Sequence, residues 1–215
     1  MIVEIKSLKT KRLTVFASGS GTNFQALHRA SLKKDFPGVV TALICNRQKA
    51  GAVDYARDHD IPVYLLAPED YSVEADYTRR LEEILQNEKP DLILLAGYLK
   101  KIPARIVGSY RNRIINIHPS LLPKYGGQGW YGMRVHRAVI EQGDTVSGST
   151  IHYVTEEYDR GPVIARSRVT VRPDDTPESL AEKIKVKEHI LFPETVKKVL
   201  QQSPSPIPPS SAKPK

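Results

Sequence analysis

Residues 114–123 read IINIHPSLLP, an apolar run in which Asn116 and His118 alternate with isoleucine before Pro119 ends it. Successive residues of a strand point to opposite faces, so Asn116 and His118 project from one face. In open α/β sheets, ligand crevices form at the carboxyl ends of the strands. The stretch therefore predicts a buried strand whose last polar side chains belong to a functional site.

Short apolar runs alternate with amphipathic segments on the amino-terminal side of this stretch. This alternation predicts βαβ units and a mostly parallel sheet with helices on both faces. The predicted strands are 13–17, 39–45, 63–66, 92–96 and 114–117, and the predicted helices are 24–33, 52–59, 73–88 and 103–110.

The pattern changes after residue 145. Two β-branched runs, 146–154 and 163–171, have no helix between them, which predicts a hairpin-like pair joined by the loop TEEYDRGP. A last helix is expected to begin at Pro177, with Asp175 or Thr176 as its N-cap, and to end near Leu200. Pro193 is expected to kink or interrupt this helix.

The ends of the chain differ from its centre. Residues 1–11 are interpreted as an N-terminal extension, and residues 12–202 as one domain with halves 12–115 and 116–202. Residues 203–215 read SPSPIPPSSAKPK, which cannot bury enough apolar surface to order itself and predicts a disordered tail.

Composition narrows the class of protein. The longest apolar run, around 92–99, is far shorter than the ~20 residues that span a bilayer, and no signal peptide is expected. Cys45 is the only cysteine and is expected to be a core residue, so a reducing, cytoplasmic location is favoured. The net charge of +8 fits an anionic ligand. No nucleic-acid motif accompanies that charge, so nucleic acid is not expected as a partner.

The segment ASGSGTN, residues 17–23, follows the first strand and opens the first helix. Glycines allow a ligand to approach the backbone, and a helix N-terminus offers free N–H groups to an anion. A dinucleotide fingerprint needs glycine at position 24, where this chain has Phe24. The segment indicates either a phosphate site or a plain tight turn.

Three polar groups are candidates for chemistry. An amide such as Asn116 can donate to a developing oxyanion, and the imidazole of His118 can move a proton. Asp159, in the late loop, is expected to fold back to His118 and to raise its pKa by stabilising the charged form. The six histidines form no metal-binding spacing, so no metal is expected.

The segments SGSGTNFQAL, NIHPSLLPKY, KEHILFP and DRGPVI together resemble the folate-dependent phosphoribosylglycinamide formyltransferases over about residues 12–200. The resemblance implies a Rossmann-like fold and formyl transfer from 10-formyltetrahydrofolate, as co-substrate, to the amine of glycinamide ribonucleotide. It also implies a monomer or a homodimer, and a cis peptide between Leu122 and Pro123.

The resemblance implies roles for individual residues as well. The catalytic group would be Asn116, His118 and Asp159, and the ribonucleotide would contact Ser20, Gly21, Thr22, Asn23 and Glu188. The folate would contact Leu99, Lys100, Lys101, Ile102, Asn116, Thr155 and Tyr158.

Three features depart from the family pattern. Lys101 stands where relatives often have an aliphatic residue, and Glu74 stands where some have an arginine that contacts folate. The glycine-rich stretch 126–135 is longer than in well-known relatives, and is expected to be either a lid bearing Trp130 and Tyr131 or a surface loop.

Other functions remain open on the sequence. The same chemistry could serve a sugar amine, methionyl-tRNA or water, although methionyl-tRNA formyltransferases and formyltetrahydrofolate hydrolases have additional domains that this length does not accommodate. A non-catalytic nucleotide- or folate-binding module is a further alternative, which the intact Asn116, His118 and Asp159 argue against.

Overall fold

The computed structural model describes residues 10–202. The disordered tail expected at 203–215 and nearly all of the 1–11 extension lie outside the described residues. The strands are β1 (Lys11–Ala17), β2 (Gly38–Cys45), β3 (Val63–Leu65), β4 (Leu92–Leu95), β5 (Ile114–His118), β6 (Val146–Tyr153) and β7 (Val163–Thr170). The helices are α1 (Thr22–Ser31), α2 (Gly51–Asp58), α3 (Glu74–Glu88), α4 (Ala104–Ser109), α5 (Met133–Glu141) and α6 (Pro177–Gln202), with a 3-10 turn at Pro68–Asp70.

The seven strands form one sheet in the order β3-β2-β1-β4-β5-β6-β7. Strands β1 to β5 pair in parallel, and β6 and β7 are antiparallel to their neighbours. The predicted mostly parallel sheet and the predicted late hairpin are both confirmed.

Apolar side chains cover the two faces of the sheet. Helices α1, α2 and α6 bury Phe24, Val53 and Phe192 against one face. Helices α3 and α4 bury Leu81 and Ile106 against the other. The polar ends of the parallel strands are thereby left as the accessible edge of the sheet.

Strand β5, which contains Asn116 and His118, pairs with β4 on one side and with β6 on the other. Asn116 pairs with Leu95 of β4 on one side and with His152 of β6 on the other. Because β5 is the last parallel strand, its carboxyl end lies where the strand direction changes, which is where α/β sheets open a crevice.

Two expectations about helices are corrected. Pro193 does not interrupt α6, which continues to Gln202, because the neighbouring Phe192 and Val196 are fully buried in the core and fix the helix on both sides of the lost hydrogen bond. The stretch 126–135 is not loop throughout: α5 begins at Met133, and the buried Val135 and Val139 give it an apolar face at helical spacing.

Candidate active site

One cleft of about 750 Å³ runs along the carboxyl ends of the parallel strands. All but one of the predicted site residues line it, namely Ser20, Thr22, Asn23, Leu99, Lys100, Lys101, Ile102, Asn116, His118, Thr155, Tyr158, Asp159 and Glu188. The exception is Gly21, which is buried and does not line the cleft. The structure thus brings together side chains that are up to 168 residues apart, from Ser20 to Glu188.

Gly21 gives the turn before α1 its shape. It is the N-cap of α1 with φ +70°, in the left-handed region that side chains other than glycine rarely adopt. A Cβ added there would lie 2.6 Å from Ala52 Cβ. The turn therefore packs directly on α2, and it presents Ser20 and Thr22 to the cleft at the start of a helix, where N–H groups favour an anion.

A buried pair lies beside this turn. Asn23 Nδ2 donates to Glu188 Oε2 at 2.8 Å, and Asn23 Oδ1 is buried with no partner among residues 10–202. Burial raises the pKa of Glu188 to about 7, which the hydrogen bond from Asn23 only partly opposes. The carboxyl group therefore titrates near neutral pH, where it can gain or lose a proton during a reaction.

We expect Glu188→Gln to stabilise the protein more at pH 8 than at pH 5. The folded-state pKa is raised, so the unfolded chain ionises first and wild-type stability falls as the pH rises from about 4.5 to about 7. Glutamine removes that fall, so its advantage should grow by about 2 kcal/mol between the two pH values. Urea unfolding at both pH values tests this, with the exposed Glu194→Gln as control. A constant difference would contradict the buried titration.

Asp159 lies at the centre of the cleft, next to side chains of β5 and β6. Its Oδ2 accepts a hydrogen bond from the Gly127 N–H at 2.8 Å and lies 3.6 Å from His118 Nδ1. Its Oδ1 lies 3.4 Å from both Asn116 Nδ2 and His152 Nε2. One carboxylate thus touches every polar side chain at the end of the opening strand.

Hydrogen bonds fix the tautomers of the two histidines. A carbonyl oxygen only accepts, so His118 Nε2–H donates to Tyr125 O at 2.7 Å, and His152 Nδ1–H donates to Tyr153 O at 2.9 Å. His152 Nε2 lies 3.1 Å from Asn116 Nδ2. Neutral His118 presents an unprotonated Nδ1 to Asp159 and can take up a proton there.

Asp159 raises the pKa of His118, as expected, but it does not decide the direction of the net shift. Burial lowers the pKa of His118 below its usual value, and this outweighs Asp159 and the hydrogen bond to Tyr125 O, which raise it. For Asp159, burial opposes ionisation, but His152, His118 and the Gly127 N–H together lower the pKa. The cleft therefore holds an ionised carboxylate beside a neutral imidazole.

The segment after β4, Leu99–Ile102, lines the cleft together with Thr155 and Tyr158. Leu99 N donates to Ser18 Oγ at 2.9 Å, which ties this segment to the end of β1. Lys101 Nζ lies 5.8 Å from the centre of the Tyr158 ring.

The charged residues Lys100 and Glu74 differ in their positions relative to the cleft. Lys100 lines it but forms an ion pair with Glu69. Glu74, at the start of α3, is not among the residues that line the cleft. Lys101 is therefore the lysine of this segment with no carboxylate partner among residues 10–202.

The loop after β5 is held by side chains of the hairpin. Thr150 Oγ1 accepts from Leu122 N at 3.0 Å and donates to Ser120 O at 2.7 Å, and Arg166 Nη2 donates to Leu122 O at 2.9 Å. The peptide between Leu122 and Pro123 is cis, as the family resemblance implied. This network fixes the path of the chain to Tyr125, whose carbonyl orients His118.

We predict that Thr150→Val lowers the free energy of unfolding by about 2–4 kcal/mol. Valine has the same shape but leaves the Leu122 N–H and the Ser120 carbonyl unpaired in a fully buried position, at about 1–3 kcal/mol per group. Thr41→Val removes a single 3.4 Å bond to Leu13 O and should cost no more than about 1 kcal/mol. Equal losses in the two variants, measured by denaturant titration, would refute the network.

The glycine-rich loop covers one side of the cleft. Residues from Gly127 to Met133 line it, and Trp130 packs between the Tyr125 ring, at 5.4 Å, and the Arg134 guanidinium, at 5.1 Å. Gly127, Gly129 and Gly132 all have positive φ. The loop is thus part of the cleft and follows a path that glycine permits.

Sequence reasoning missed two residues of the central cluster. His152 was not expected at the site, although its place in the predicted hairpin, beside the predicted strand, was the signal that could have found it. The backbone N–H of Gly127 was missed because no sequence pattern shows where a loop N–H points.

Residues 10–202 contain neither a metal-binding cluster nor a helix suited to span a membrane. No group of three or more His, Cys, Asp or Glu side chains within them is arranged to hold a metal ion. None of the helices in this part of the chain has the length and apolar character needed to cross a membrane.

Comparison with known proteins identifies the family. The profile of the formyl transferase family matches residues 11–196. A phosphoribosylglycinamide formyltransferase of Bacillus subtilis is 33% identical over 190 residues, which are 88% of this chain and 95% of that protein. The crystal structure of phosphoribosylglycinamide formyltransferase from Bacillus halodurans superposes with a TM-score of 0.83 at 38% identity, over 89% of this chain and 96% of that one.

A plant relative is more similar in sequence but longer. The chloroplastic phosphoribosylglycinamide formyltransferase of Vigna unguiculata is 42% identical over 196 residues, which are 91% of this chain. The matched part is 63% of the plant protein, so this chain spans a little under two thirds of its length. The match of the family profile to most of the chain, together with the fold and the cleft, shows that the protein belongs to the formyl transferase family.

Proposed function

We propose that the protein transfers the formyl group of 10-formyltetrahydrofolate to the amine of glycinamide ribonucleotide, a step of purine biosynthesis. The observation that supports this most strongly is the contact of Asp159 with both Asn116 and His118, at the centre of a cleft with a helix N-terminus at one end. The relatives are named as phosphoribosylglycinamide formyltransferases, and their similarity covers most of this chain, which supports the same substrates.

The two ends of the cleft suit the two substrates. The phosphate of the ribonucleotide binds the turn that includes Ser20, Gly21, Thr22 and Asn23, because the N–H groups at the start of α1 are free to donate. The folate binds along Leu99–Ile102, Thr155 and Tyr158. Both halves of the proposed domain 12–202 contribute, since Glu188 of the second half lies beside the phosphate turn.

The substrates meet at Asn116 and His118. The amine attacks the formyl carbon and forms a tetrahedral oxyanion, to which Asn116 Nδ2 donates. The Asn116–Asp159 contact of 3.4 Å is long for a hydrogen bond, so the oxyanion can displace it at little cost. A donor placed in this way typically accelerates such a step about 10²–10³-fold.

The proton of the amine moves through His118. Its lowered pKa favours the neutral form at the start, so Nδ1 can accept the proton as the C–N bond forms. The ionised Asp159 stabilises the resulting imidazolium, which then protonates N10 of the folate as the bond between N10 and the formyl carbon breaks. The products are the N-formyl amide and tetrahydrofolate, and His118 is neutral again.

An acceptor panel tests the proposal. The protein is incubated with 10-formyltetrahydrofolate and, in turn, glycinamide ribonucleotide, a phosphorylated sugar amine, methionyl-tRNA or no acceptor, and release of tetrahydrofolate is followed. We expect turnover with the ribonucleotide at least a hundredfold above the other arms. Turnover without an acceptor would identify a hydrolase, and folate binding without any turnover would identify a binding module.

Two further features bear on the cellular compartment and the oligomeric state of the protein. The lone, fully buried Cys45 supports a reducing compartment such as the cytoplasm. All proposed catalytic side chains come from one chain, so a monomer and a homodimer would both be competent.

A further inference from the structure

His136 is a buried imidazole on the cleft wall with no hydrogen-bond partner among residues 10–202. It lies on α5, is 5% exposed and lines the cleft. No hydrogen bond joins either ring nitrogen to another group among residues 10–202, and Nδ1 is completely buried. By contrast, His118 and His152 each contact polar groups through both nitrogens.

An unpaired polar group in such a position is costly. Leaving a buried donor or acceptor unsatisfied costs about 1–3 kcal/mol, and an apolar side chain of similar size would avoid this. The rest of α5 shows no such cost, because the buried Val135 and Val139 beside His136 are apolar. A polar residue kept at the expense of stability is typical of a site that binds a ligand.

The surroundings of His136 indicate which substrate it faces. His136 and His118 line the same cleft. Val139, one turn further along α5, packs against Ile184 of α6, and Ile184 is one turn before Glu188. His136 therefore lies on the side of the cleft formed by α5 and α6, which also holds Glu188 and, through Asn23, the phosphate turn.

We propose that His136 hydrogen-bonds to the ribonucleotide acceptor, at a polar group next to its reacting amine, and so helps to select the acceptor. This assignment rests on the proposed function. Neutral imidazole has one donor and one acceptor, and Nε2 is the nitrogen with access to the cleft. His136 acts on binding rather than on the transfer of the formyl group.

Calorimetry with two variants tests the assignment. His136→Leu removes both nitrogens, and should weaken binding of glycinamide ribonucleotide about tenfold while binding of a non-reactive folate analogue stays within twofold. His136→Gln keeps a donor and an acceptor, and should recover acceptor affinity to within about threefold. In steady-state assays the loss should be in KM for the acceptor, with kcat nearly unchanged.

His189 provides a matched control. Its Nε2 is also buried without a partner among residues 10–202, but His189 does not line the cleft. His189→Leu should leave both affinities unchanged. The thermal midpoint of His136→Leu should equal or exceed that of the wild type, because the variant no longer buries an unpaired nitrogen.

The outcomes separate the assignment from the proposed function. Unchanged acceptor affinity in His136→Leu would overturn the assignment alone. Equal weakening of acceptor and folate analogue would also overturn it, since this would indicate a collapsed cleft. A wild-type protein that binds folate but not the ribonucleotide would overturn the proposed function itself.

Discussion

Replacing Asp159 by asparagine is expected to lower kcat about 10²–10³-fold. The carboxylate lies 3.6 Å from His118 Nδ1 and 3.4 Å from both Asn116 Nδ2 and His152 Nε2. Asparagine has the same shape but no charge, so the imidazolium that forms when His118 takes the amine proton loses its stabilising partner. Acceptor affinity should change little, because Asp159 interacts with charge that develops only during the reaction.

Asp175 is the matched control for this variant. Its side chain is only 5% exposed and accepts hydrogen bonds from Arg172 N, Ser179 and Lys183, but it lies before the start of α6, whose first turn is capped by Thr176, and does not line the cleft. Asp175→Asn should lower the unfolding midpoint and leave kcat of the folded protein within about twofold. A kcat for Asp159→Asn within tenfold of the wild type, from single-turnover kinetics, would exclude Asp159 from the proposed proton path.

The second large effect is expected at Gly21. Gly21→Ala should weaken binding of the ribonucleotide about 10–100-fold, because the new methyl group cannot share space with Ala52 Cβ, 2.6 Å away, at a φ of +70°. The start of α1 must shift, and the N–H groups at Thr22 and Asn23 move with it. Affinity for a folate analogue should stay within about threefold, which also shows that the variant is folded.

Gly108→Ala is the control for this change. Gly108 lies inside α4, has nothing within 4 Å of an added Cβ and does not line the cleft. Alanine there should leave both affinities unchanged and raise stability slightly, since alanine favours helix. If Gly21→Ala binds the ribonucleotide as tightly as the wild type, the turn before α1 is not the phosphate site.

The sequence predicted much of this fold because its signals are local. Strands such as β4 and β5 are short apolar runs, and the positions of Asn116 and His118 on one face follow from strand periodicity alone. Helix α5 was not predicted, because the glycines before Met133, which have positive φ at Gly127, Gly129 and Gly132, resemble a continuing loop.

The site was less predictable because its geometry depends on distant contacts. Strand pairing sets His152 against Asn116, and a loop N–H from Gly127 reaches Asp159. The net direction of the His118 pKa shift depends on how deeply the folded chain buries the ring, because burial outweighs the predicted effect of Asp159, and the sequence does not show that burial. Motifs therefore predicted the side chains that meet at the centre of the cleft, and packing sets the direction of their pKa shifts.

The central claim is that this cleft passes a formyl group from folate to an amine. Its most direct test follows a ¹³C-labelled formyl group by NMR in a mixture of protein, labelled 10-formyltetrahydrofolate and glycinamide ribonucleotide. The proposal predicts that the label leaves N10 and appears as an N-formyl amide of the ribonucleotide, and that Asp159→Asn slows this at least a hundredfold. Label recovered as formate, or retained on the folate by a protein that binds both substrates, would contradict it.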